Sequence, residues 1–140
     1  GIAFLCDATG NAFQNRCSAN TAGIYIQENS SPRLFDNICE NNQEHGIVFL
    51  EFSSGVARDN ICQANNMAGI ISFDAASPYL SGNRCERNGV DGIAFLDNSS
   101  GSAKNNICLM NINQGFYVAD KAKPLLNGNS CEDNSFRTLN

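Results

Sequence analysis

The chain has no tryptophan, three prolines, two methionines, one histidine and three threonines in 140 residues. Only 16% of the residues are charged, and nine Lys and Arg against 14 Asp and Glu leave a net charge of −5. Each shortage excludes something. Few and scattered cations argue against nucleic acid, because binding phosphates needs clustered positive charge. An anionic membrane surface is excluded on the same ground. The longest apolar runs are four or five residues, such as Gly1 to Leu5 and Gly46 to Leu50, so no membrane span or signal peptide is read. Scarce threonine removes an arrayed ice-binding surface. No window carries the 3.6-residue period of an amphipathic helix.

What is abundant is asparagine, with 21 residues, beside 12 glycines and seven cysteines. These residues are positional. Gly1, Gly23, Gly46, Gly69, Gly92 and Gly115 recur every 22 or 23 residues, each followed by Ile or, at Phe116, an aromatic. Cys17, Cys39, Cys62, Cys85, Cys108 and Cys131 keep the same interval. An Asn stands two residues before each of these cysteines (Asn15, Asn37, Asn60, Asn83, Asn106, Asn129) and another three after it (Asn20, Asn42, Asn65, Asn88, Asn111, Asn134). Each unit holds three short alternations of apolar and polar residues, which read as strands. So short a unit cannot bury its own apolar side. Units must therefore stack, each strand pairing in parallel with its equivalent one coil away at ~4.8 Å. The prediction is an all-β parallel β-helix of about six 23-residue coils with Asn and Cys ladders inside. A repeat of 23 rather than a multiple of six, and the usual crossover of parallel strands, predict a right-handed coil.

The segments Asn83-Arg-Cys-Glu-Arg-Asn-Gly-Val-Asp-Gly-Ile93 and Ala122-Lys-Pro-Leu-Leu-Asn-Gly-Asn-Ser-Cys131 resemble the right-handed parallel β-helix repeat of the pectate-lyase-like, or carbohydrate-binding and sugar-hydrolase, group. The resemblance covers essentially the whole chain. It implies architecture rather than one activity, since that group mixes polysaccharide lyases, hydrolases, epimerases, copper-delivery accessory proteins and repeat domains that bind partners.

Period two places Ile2, Ile24, Ile47, Ile70, Ile93 and Phe116 inward, with Phe4, Ile26, Phe49, Ser72, Phe95 and Val118 two residues on. In the second strand Gly-x-Ala (Gly10, Gly55, Gly101) alternates with Pro-x-Leu (Pro32, Pro78, Pro124), so the true period is two coils, with large and small side chains interdigitating. The Asn rows belong at bends, bonding turn backbone and the next rung. Cysteines stacked in one column point the same way, a poor geometry for disulfides. They also lack the paired spacing of a zinc site. They are read as buried free thiols, which slightly favours a cytoplasmic compartment.

Two outward features remain. An acidic column, Glu28, Glu51, Asp74, Asp97 and Asp120, with Cys6 in its first place, stacks like charges that repel unless a cation or donor intervenes. The resemblance makes it a candidate calcium or glycan site; the plain alternative is a solvated strand end. The outward rows of the first strand carry Ala3, Tyr25, Val48, Ile71, Ala94 and Tyr117, then Leu5, Gln27, Leu50, Phe73, Leu96 and Ala119. About ten of these apolar side chains would face solvent, a patch that usually marks an interface. The candidate interface is Leu5, Tyr25, Val48, Leu50, Ile71, Phe73, Leu96 and Tyr117; Tyr25, Phe73 and Tyr117 could instead stack on sugar rings. No catalytic residue is assigned: these rows hold no Lys or Arg base, and His45 reads as an exposed turn residue. Arg16 and Arg84 are equivalent but three coils apart. Gly1 opens a repeat, and Thr138 and Leu139 occupy the Gly and Ile places of a seventh coil. The single domain over 1–140 is therefore expected to be an excerpt of a longer solenoid or an end-stacking unit. Together these features read as a non-catalytic scaffold or self-association module with protein partners. The alternative is a carbohydrate-binding or polysaccharide-degrading β-helix, with calcium as its possible cofactor.

Overall fold

In a computed structural model that describes residues 1–119 and 121–135, each repeat makes one three-sided coil from three strands of three residues. Equivalent strands of successive coils pair in parallel and in register, giving three six-stranded sheets. The first sheet contains Ile2–Phe4, Ile24–Ile26, Ile47–Phe49, Ile70–Ser72, Ile93–Phe95 and Phe116–Val118. The second contains Asn11–Phe13, Arg33–Phe35, Val56–Arg58, Tyr79–Ser81, Ser102–Lys104 and Leu125–Asn127. The third contains Arg16–Ser18, Ile38–Glu40, Ile61–Gln63, Arg84–Glu86, Ile107–Leu109 and Ser130–Glu132. Strands this short have no independent stability; the backbone hydrogen bonds of each coil are completed by the coils above and below.

The inward columns are those the alternation predicts. Ile24, Ile26, Ile47, Phe49, Ile70, Ile93 and Phe95 are fully buried, and they pack with the middle residues of the other two sheets in one continuous core. Ala12, Leu34, Ala57, Leu80, Ala103 and Leu126 face one another in register up the second sheet, so large and small side chains alternate. The glycine and proline alternation has a separate cause. Gly55 and Gly101 sit at φ +108° and +93°, and a Cβ there would lie 2.3 and 2.2 Å from the carbonyl oxygens of Pro32 and Pro78 one coil below. Proline fixes one coil's backbone, and only glycine fits against it in the next.

Glycine and cysteine share a repeat for a similar reason. A Cβ on Gly69 would meet Cys85 Cβ at 2.9 Å and the carbonyl oxygen of Gly92 at 2.7 Å. The cysteines are all free, and Cys17, Cys39, Cys62, Cys85 and Cys108 are buried. Burial, then the hydrogen bond with Cys108, pushes the Cys85 thiol well above its ordinary pKa. The interior column therefore holds neutral thiols packed as small apolar groups.

Both Asn rows are hydrogen-bonded ladders. The Asn60 side-chain amide donates to the Leu34 carbonyl and to Asn83 Oδ1, both at 3.0 Å, and its Oδ1 accepts from the backbone and side-chain amides of Asn37, both at 2.9 Å. Asn65 repeats the pattern at the other corner, donating to the Cys39 carbonyl at 3.1 Å and Asn88 Oδ1 at 3.0 Å. The residue before each ladder Asn is left-handed: Asp36, Asp59, Ala64, Arg87 and Met110 have φ between 51° and 55°. Ala64 and Met110 gain nothing locally from that conformation, so the stacked amides on either side enforce it.

Candidate functional site

The outer face of the first sheet differs from its expected form. Val48, Leu50, Ile71 and Ala94 do not face solvent; they are at most 9% exposed and form a second apolar cluster with Ala68, bordered by Ala22, Tyr25, Phe73 and Leu96. The reason is lateral packing. Equivalent residues stack at about 4.8 Å, and the corner residue Ala68 closes the side of the row. The candidate interface residues that stay open lie toward the two ends, Leu5 at 45% and Tyr117 at 38% exposure, while Tyr25, Phe73 and Leu96 are half-buried.

Beside this cluster lies a shallow, almost wholly apolar groove of about 150 Å³, walled by Met67, Ile71, Val90, Ala94, Leu96 and Tyr117, with His45 and Asp91 at its corner side. His45 is not the solvent-exposed turn residue expected. It is half-buried, and its Nδ1 accepts the backbone N–H of Ala68 at 3.1 Å, which leaves the proton of the neutral ring on Nε2. Burial lowers its pKa, opposed by Glu44. Asp91, two coils on in the same column, has the equivalent role. Its Oδ1 accepts the backbone N–H of Gln114 at 3.0 Å and the side-chain amide of Asn113 at 2.9 Å. Burial raises its carboxyl pKa against those two donors. Both side chains thus satisfy a corner N–H one coil up.

The acidic column is also a ladder. Glu28, Glu51, Asp74 and Asp97 are all left-handed, at φ 54° to 61°, and each accepts or donates along the stack. Glu51 accepts the backbone N–H of Glu28 at 3.1 Å and the side-chain amide of Gln27 at 2.9 Å. Asp74 accepts from the N–H of Glu51 at 3.2 Å, and Asp97 from that of Asp74 at 3.3 Å. Cys6 takes the same backbone conformation, and a hydrogen bond with the Glu28 carboxylate pushes its thiol pKa up. Asp120, with Thr138 and Leu139, lies outside the described residues. Among the described residues no group of three or more His, Cys, Asp and Glu is placed to hold a metal ion.

The other two faces carry charged and aromatic groups that the repeat spacing does not mark. On the third, Glu40 and Glu86 are buried under ion pairs: Arg16 bonds Glu40, Gln63 donates to Glu40 at 2.7 Å, and Arg84 and Arg87 reach Glu86 at 2.7 and 3.1 Å. The second sheet exposes Phe13, Tyr79 and Leu125 together with Arg33, Arg58 and Lys104. The signal available in the sequence was the residue on each side of the Ala/Leu column, visible only once the strand phase is fixed.

A family model described as right-handed beta helix region matches residues 1–140. No curated protein matches the sequence. Among solved structures, a double mutant of the periplasmic alginate epimerase AlgG superposes with a TM-score of 0.83 at 19% identity. The match covers 94% of this chain and 36% of that protein, so the chain spans about a third of its neighbour's length.

Proposed function

The chain belongs to the right-handed β-helix family, and from that premise we propose that it is a glycan-binding β-helix module that receives sugar rings on the outer face of its first sheet. The observation that carries this is the apolar groove ending at Tyr117, with Asp91 and His45 along one wall. Sugar rings present apolar C–H faces to aromatic and aliphatic side chains such as those that wall this groove. The alginate epimerase neighbour supports the substrate class, since it acts on a polysaccharide with the same coil architecture. Binding rather than turnover is proposed because the two outward rows of this sheet contain neither Lys nor Arg to take a proton.

Calorimetric titration with neutral and uronate oligosaccharides, with and without calcium, tests the reading. Oligosaccharide binding should weaken by roughly tenfold in Tyr117→Ala, the size of one lost ring contact. Absence of binding by any glycan rejects it. A calcium requirement abolished by Asp74→Asn plus Asp97→Asn would assign the acidic column a cation. A second reading, a scaffold that associates with protein or with its own copies, is favoured by the open apolar ends of the row at Leu5 and Tyr117. Its test is sedimentation of the chain beside a Leu5→Glu, Phe73→Glu double variant. A monomer in both cases removes the self-association half of that reading.

A further inference from the structure

Among the described residues the positive charges, Lys121 apart, are sorted by face. Arg16, Arg84 and Arg87 are held by Glu40 and Glu86 on the third sheet. Arg33, Lys104 and Lys123 form no ion pair among the described residues, and all three are exposed on the second sheet or the segment that enters it. Arg58 lies on the same face, in an exposed pair with its neighbour Asp59 at 3.1 Å that costs little to exchange. The corner acids Asp36 and Asp59 border this face. Arg33 also lines an open depression of about 520 Å³, of mixed polar and apolar character, with Thr9, Asn11, Pro32 and Val56.

Register gives these groups an order. Phe35 pairs with Arg58, and Lys104 lies two coils beyond Arg58 in the same column, about 9.6 Å away along the axis at ~4.8 Å per coil. Tyr79, 43% exposed, occupies the intervening coil in the adjacent column beside Ser81. Two outward columns therefore carry these groups, Arg33 and Tyr79 in one and Arg58 and Lys104 in the other, with Phe35 half-buried below Arg58 and Lys123 on the segment that enters the last strand.

The geometry points to a second binding face, on the outer side of the second sheet, for an extended acidic glycan of the uronate class lying along the coil axis. One coil advances by about the length of one sugar residue in an extended chain. Carboxylates on alternate residues then meet Arg58 and Lys104, with a ring over Tyr79 between them. Arg supplies a two-pronged donor to carboxylate, and aromatic faces take the apolar side of the ring. A single-stranded nucleic acid offers the same two contact types, but its charges sit on the backbone and its rings on the bases, a layout that calls for a continuous cationic track rather than alternation. The inference goes beyond the first-sheet reading and borrows from it only the polymer class.

The test is calorimetric titration of the whole chain with a polygalacturonate decamer, a neutral β-glucan oligomer and an oligothymidylate, at low and physiological salt. Three proteins are compared: the unaltered chain, an Arg58→Ser, Lys104→Ser double variant, and Tyr117→Ala, each first shown by circular dichroism and thermal unfolding to be folded. The inference expects uronate to bind the unaltered chain with marked salt dependence, and the double variant to lose at least about tenfold in affinity together with most of that dependence. It expects neutral glycan binding to be unaltered in the double variant. Uronate affinity equal in the unaltered chain and the double variant overturns it, as does tighter binding of oligothymidylate than of uronate. If Tyr117→Ala leaves all binding unchanged while the double variant loses uronate, the first-sheet reading fails and this one stands.

Discussion

Two kinds of ladder climb this rod, and they are built from nearly the same shape. The Asn ladders lie inside the corners, with Asn37, Asn60, Asn83 and Asn106 fully buried, while the carboxylate ladder of Glu28, Glu51, Asp74 and Asp97 lies outside, half-buried or exposed. Both side chains accept a backbone N–H from the coil below. Only the amide can also donate, to its neighbour's oxygen and to a carbonyl. A buried stack of amides therefore satisfies itself at every rung. Carboxylates cannot donate to one another from rung to rung, so their stack leaves each charge near a like charge, which is tolerable only where water screens it. Chemistry that differs by one donor thus decides which corner may be buried.

The largest break in this comparison converts one ladder into the other. Asn83→Asp removes the donors to the Ala57 carbonyl at 2.8 Å and to Asn106 Oδ1 at 2.9 Å, and sets a carboxylate against that oxygen without water. Urea unfolding at neutral pH should show a loss of about 3–5 kcal/mol, the range for an unpaired buried charge. Part of it should return on acidification, since a protonated Asp donates one hydrogen bond. A loss below about 1 kcal/mol would mean that individual rungs are dispensable.

A medium-sized effect separates the two corner acceptors His45 and Asp91, which do one job with opposite charge behaviour. Burial lowers the pKa of His45, so below its ordinary 6.5 the unfolded chain takes up a proton before the folded one. Stability is then fully present above pH 6.5 and falls as the pH drops toward the lowered value. Asp91 has a raised pKa, so in the folded chain it holds its proton above the ordinary 3.8, and stability falls as pH rises through that window. His45→Gln keeps an acceptor for the Ala68 N–H and should abolish the loss below pH 6.5, an effect on the order of 1 kcal/mol at most. Melting temperatures from pH 7 down to 5 measure it. Parallel curves for the two proteins would show that His45 is not the group responsible.

How much of this was legible in the sequence follows the same division between inside and outside. Interior positions repeat because every coil meets the same neighbours there: Gly69 must clear Cys85, Leu34 must fit between Ala12 and Ala57, and Asn60 must match Asn37 and Asn83. Such constraints write themselves into spacing. Ser72 is the exception, a buried hydroxyl without a partner between Phe49 and Phe95 in an otherwise apolar column. Outer positions answer to no fixed neighbour, so their exposure is not periodic. Period two puts Val48 and Ile71 on the outward side, and only packing shows that Ala68 and the adjoining rungs cover them. The role of His45 was hidden for the same reason: its partner, the Ala68 N–H, is 23 residues away and left unbonded by a corner that no single-strand pattern reveals.

The smallest predicted effect tests the exposed ladder in the opposite sense. Asp74 accepts the N–H of Glu51 at 3.2 Å and gives its own N–H to Asp97 at 3.3 Å. Asn in its place keeps the acceptor, tolerates the left-handed φ of 58°, and adds a donor that can face the Asp97 carboxylate. Removing one charge from within the stack also relieves repulsion on both sides. Asp74→Asn should therefore stabilise the chain by up to about 0.5 kcal/mol at low ionic strength, and the gain should vanish in high salt, where exposed charges about 5 Å apart are screened. Thermal unfolding at the two salt concentrations distinguishes the cases. If the substitution instead destabilises by more than about 1 kcal/mol, and only when calcium is present, the column's charge is compensated by a cation and the carboxylates are ligands rather than turn acceptors.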